Sequence, residues 1–137
     1  MADPLPLPAL DQVPVLDKDI FMTIISFHGT IEINRPDIVE RVLQNWLPDE
    51  NIRMEQRQVF EAYLDGENIE IYCHMATPPN SLAFFLIEGH IDDSREGAEA
   101  KLEALAQHCR DFGLSFNIDY EEVDADGAPL SAEQTIR

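Results

Sequence analysis

The sequence predicts an α+β domain of ferredoxin-like sandwich type, an antiparallel sheet of four to five strands with two helices on one face. Two stretches repeat apolar residues at helical spacing. Four or five others alternate apolar and polar residues, or run apolar at strand length. Their order is strand, helix, hairpin, strand, helix, strand. At 137 residues and 45% hydrophobic, the chain has the size and apolar content of one packed domain.

The domain is expected over residues 20–123. Phe21, Ile25, Phe27, Ile31 and Ile33 share one parity against Ser26, His28, Thr30 and Glu32, as in a half-buried strand. Asn34 is placed to cap a helix with Pro36 in its first turn. Val39, Val42, Leu43 and Trp46 form its stripe, and Pro48 stops it. Two hairpin arms, 52–64 and 69–75, flank Asp65-Gly66-Glu67-Asn68. The first arm is ambiguous, being polar on both faces from Arg53 to Gln58. After Pro78 and Pro79 comes an apolar strand from Leu82 to Ile91. Asp93, with Glu96 three residues on, opens a second helix whose stripe is Ala98, Leu102, Leu105, Cys109 and Phe112. Gly113 is suited to its left-handed cap. A last strand from Leu114 to Val123 sets Phe116, Ile118 and Tyr120 against Asn117, Asp119 and Glu121.

The two ends differ from this body. Residues 1–19 interleave four prolines with leucine and valine, which predicts an extended arm docked in part on the domain or a partner. Residues 124–137 read as an acidic flexible tail.

Charge narrows the function classes. With 27 acidic and 9 basic side chains the formal net charge is −18. That excludes direct nucleic-acid binding, which requires lysine and arginine to displace counterions from phosphate, and disfavours an anionic membrane. No apolar run is long enough to span a bilayer, and no signal-peptide pattern opens the chain. Cys73 and Cys109 are too few for a disulfide framework or a thiolate metal site, so a reducing, cytoplasmic setting is expected.

The candidate site follows from strand parity. If both helices cover one sheet face, the other carries Ser26, His28, Thr30, Glu70, Tyr72, His74, Phe84, Leu86, Glu88, His90, Asn117, Asp119 and Glu121. Three of the four histidines share this face with carboxylates and apolar anchors. As an interface it would bind through Tyr72, His74, Phe84, Leu86, Glu88, His90, Asp119 and Glu121. The partner is then a basic protein, or a second copy forming a homodimer across the same face.

Two resemblances point to chemistry. His28-Gly29-Thr30 resembles one half of the HxT signature of the two-histidine phosphoesterases. That resemblance implies acid/base work by His28, Thr30 and His90 on a phosphodiester, although the second copy is represented only by His90-Ile91-Asp92. Glu122, Asp124, Asp126, Gly127 and Glu133 resemble positions 1, 3, 5, 6 and 12 of an EF-hand loop, which implies Ca2+. Imidazoles with Glu88 or Asp119 would instead suit Zn2+. No cofactor is the principal expectation. The sequence therefore predicts a small acidic interaction module, a regulator or inhibitor of a basic, nucleic-acid-processing partner. The alternative is a metal-dependent or phosphoesterase-like enzyme using His28, His74 and His90.

Overall fold

Strand β1 (Thr23–Glu32) leads into helix α1 (Pro36–Trp46). Strands β2 (Glu55–Gln56), β3 (Phe60–Asp65), β4 (Ile69–Ala76) and β5 (Phe84–Asp93) follow, then helix α2 (Arg95–Asp111), β6 (Ser115–Val123) and β7 (Gln134–Ile136). The computed structural model describes residues 22–76 and 84–137. The expected arm at 1–19 and the features at Pro78, Pro79 and Leu82 lie outside these residues.

The class is α+β, with two helices and one seven-stranded sheet in the order β2-β3-β4-β5-β1-β6-β7. The ferredoxin-like arrangement of four to five strands is not confirmed. The sheet has seven strands rather than four to five, and all six of its pairings are antiparallel. The five long strands are those the alternation predicts. The two additions are edges. The polar first hairpin arm is divided between β2 and β3, and residues 134–136, read as flexible tail, pair with β6 as β7.

Both helices supply the core over one face. Val39, Val42, Leu43 and Trp46 of α1 and Ala98, Leu102, Leu105, Ala106 and Cys109 of α2 are buried with Ile25, Phe27, Ile31, Ile71, Cys73, Phe85, Ile87, Ile91 and Ile118. Each large aliphatic side chain taken fully out of water contributes about 1.5–3 kcal/mol before entropy is counted. Trp46 ties the layers together: its indole N–H donates to the Lys101 carbonyl at 2.8 Å, and its ring meets Phe27 edge-on with centroids 6.4 Å apart.

The caps differ by one residue from the sequence reading. Arg35, not Asn34, is the N-cap of α1 and makes no side-chain capping bond, because a guanidinium offers no acceptor to the first-turn N–H groups. Ser94, not Asp93, caps α2, its Oγ accepting from Gly97 N–H at 3.1 Å, while Asp93 accepts from Ser94 N–H at 2.7 Å. At the other end Gly113 takes φ +70°, and the Gly113 and Leu114 N–H groups donate to Arg110 and Cys109 carbonyls. This is the Schellman arrangement the glycine predicts. Among the described residues no helix is long and apolar enough to cross a membrane.

Candidate functional site

Strand pairing arranges the face opposite the helices in rows. Successive Cα partners across β3, β4, β5, β1 and β6 are Tyr63, Tyr72, Glu88, His28 and Asp119 in one row. Asp65, Glu70, His90, Ser26 and Glu121 form the next, and Glu61, His74, Leu86, Thr30 and Asn117 the third. No described element packs its core across these rows. Directly opposed side chains in such ladders approach within about 5 Å and interact. Each of the three histidines therefore faces a glutamate across a strand: His28 faces Glu88, His90 faces Glu70, and His74 faces Glu61.

Hydrogen bonds then link the rows. Tyr63 Oη donates to Glu70 Oε2 at 2.6 Å, and His90 Nε2 lies 3.0 Å from Glu70 Oε1. The other ring nitrogen of His90 is 3.3 Å from Asp92 Oδ1. Tyr72 Oη donates to Glu61 Oε1 at 2.6 Å, and its ring stacks on His74 with centroids 4.9 Å apart. These bonds move the titrating groups. The Tyr63 hydroxyl and, second, His90 hold the Glu70 carboxyl below its usual range. The same bond pushes the Tyr63 phenol up to about 12, and Glu61 raises that of Tyr72.

A cleft of about 790 Å³ opens over this network, its lining including Glu70, Glu88, Asp92 and Asp124 together with Tyr63, Tyr72, His28 and His90. One rim is the loop after β6. There Asp124 Oδ1 accepts from the N–H groups of Asp126 and Ala128, both at 2.9 Å, and Gly127 takes φ +88°. Among the described residues no lysine or arginine lines the cleft.

Of the residues expected to bind, Tyr72, Glu88 and His90 line the cleft, while His74, Phe84, Leu86, Asp119 and Glu121 lie outside it. All eight remain on strands of the same sheet, at the parity opposite the buried residues. Sequence reasoning passed over Tyr63, Glu70 and Asp92 as binding residues. Strand parity marked Glu70, but Asp92 lies just past the predicted strand end at Ile91, and the polar stretch from Arg53 to Gln58 left the register of the arm carrying Tyr63, which is 58% exposed, undecided.

The three residues of the phosphoesterase resemblance are occupied differently. Thr30 donates its hydroxyl to Asn117 Oδ1 at 2.7 Å, and His90 lies between two carboxylates. Such surroundings disfavour an anionic substrate. The residues of the calcium-loop resemblance make other contacts. Glu122 pairs with Arg95 at 3.5 Å, Asp124 closes its own turn, and Glu133 reaches His28 Nε2 at 3.4 Å. Gly127 permits a sharp turn as expected, but the turn returns the chain to β6. Buried Cys73 and Cys109 are free thiols, both pushed up to about 12 chiefly by burial. Compared with known proteins, the chain matches no family model and no curated sequence.

Proposed function

We propose that this chain is a small acidic interaction module that regulates or inhibits a basic protein partner through the open face of its sheet. The supporting observation is the cleft whose lining includes four carboxylates and two phenols without a described lysine or arginine. A lysine or arginine of a partner entering there would meet carboxylates for its charge and aromatic rings for its stem. The field of a chain carrying −18 would steer such a partner before contact. Face-to-face pairing of two copies would oppose like charges, so a basic partner is favoured over a second copy. Proteins that process nucleic acid carry basic surfaces of the required kind.

The test is to recover the complex from the native source, identify its second component, and measure retention at low and high salt. The screening length falls from about 10 Å at 0.1 M to about 3 Å at 1 M, so retention should fall steeply. Glu70→Lys with Glu88→Lys should weaken it further. A neutral or acidic component, or retention indifferent to both salt and charge reversal, overturns the reading.

A further inference from the structure

His28, Asp119 and Glu133 come from distant positions in the chain and offer ligand atoms that all lie within 4.8 Å of one another. Two strand registers bring them together. His28 and Asp119 are Cα partners across β1 and β6, and Asp119 is the partner of Thr135 in β7. Glu133, two residues before Thr135, thereby shares its side of the edge. The Thr135 hydroxyl donates to Asp119 Oδ1 at 2.5 Å, which fixes that carboxylate and leaves its second oxygen for another contact.

Within the trio the direct contact is one long hydrogen bond between His28 and Glu133. The 3.4 Å separation of His28 Nε2 and Glu133 Oε2 exceeds the roughly 2.7–2.9 Å of a charge-assisted hydrogen bond. Neither Asp119 nor Glu133 has a lysine or arginine partner among the described residues. Two carboxylates thus converge on one imidazole, and among the described residues no lysine or arginine balances them.

We propose that His28, Asp119 and Glu133 form a mononuclear site for a divalent transition-metal ion of the Zn2+ class. One nitrogen and two oxygens suit a borderline cation, and three protein ligands leave positions for water. Thr135 acts as a positioning residue, the outer-shell donor that orients a ligating carboxylate. Hard Ca2+ is disfavoured because imidazole is not among its usual oxygen ligands. The site adjoins the cleft through His28 but does not depend on any partner.

The purified full chain, stripped with chelator, should be titrated calorimetrically with Zn2+ alone and by absorbance with Co2+. The expected result is one ion per chain, with affinity at least about tenfold weaker in His28→Ala and in Glu133→Gln, and 10–100-fold weaker in Thr135→Val. His108→Ala, on α2, should bind as the parent does. Circular dichroism establishes that each variant is folded, and the exposure of His28 and Glu133 makes both substitutions tolerable. No stoichiometric binding, equal affinity in folded His28→Ala, or displacement of Zn2+ by equimolar Ca2+ overturns the proposal. Partner retention is a separate measurement, so failure here leaves the interaction reading standing.

Discussion

Gly89 approaches Glu70 so closely that a Cβ added there would stand 1.9 Å from the Glu70 carbonyl oxygen. Gly29 makes the same approach to the Asn117 carbonyl at 2.1 Å. Two central strands therefore carry glycine where neighbouring backbones pass too near for any side chain. Gly89→Ala should destabilise the fold by about 1–3 kcal/mol and displace β4, which carries Glu70, relative to β5. A denaturant midpoint equal to that of the parent would contradict this contact.

Trp46 is the only tryptophan, so its fluorescence reports the packing between α1, α2 and β1. Trp46→Ala removes the ring against Phe27 and the hydrogen bond to Lys101. It should cost about 3–5 kcal/mol, read by thermal or chemical unfolding.

The two thiols should be inert in the folded state. Burial holds both Cys73 and Cys109 up to about 12, so almost no thiolate exists near neutrality. Labelling by a thiol reagent at neutral pH should proceed only as fast as the chain opens, and both cysteines should react at once in denaturant. Rapid labelling of either native thiol would show that its burial is wrong.

The phenols predict behaviour in alkali. Tyr63, through Glu70, and Tyr120, through burial and then Glu99, are raised to about 12, and Tyr72 is raised by Glu61. A folded value above the unfolded one gives stability that is complete below pH ~10 and lost as pH rises through about 12. Phenolate absorbance should therefore lag behind that of free tyrosine until the protein unfolds.

Tyr63→Phe tests the same bond from its other end. The carboxyl of Glu70 is depressed, so its contribution is present above the unfolded carboxylate value and lost as pH falls through the folded one. Removing the hydroxyl should raise the Glu70 titration midpoint, followed by carboxyl-carbon NMR. An unmoved midpoint would assign the depression to His90 instead.

Much of this architecture was legible because burial imposes a period. Ile25, Phe27 and Ile31 alternate with Ser26, His28 and Thr30, and one sheet face is apolar for that reason. The Schellman end of α2 was equally readable from Gly113, since few other residues accept that backbone conformation. The short edges were not. Glu55 and Gln56 are exposed on both sides, so β2 leaves no alternation to detect.

The tail shows the same division most sharply. Its spacing of Glu122, Asp124, Asp126 and Glu133 suggests one loop around one ion, yet Arg95 takes Glu122, and Glu133, just before β7, meets His28. By itself the sequence determined which face is apolar, where the helices run and how acidic the surface is, because these follow from the order of residue types along a local repeat. Only the tertiary structure decided which carboxylate meets which imidazole. That choice rests on pairings between strands distant in the chain, where a shift of one residue would exchange every neighbour.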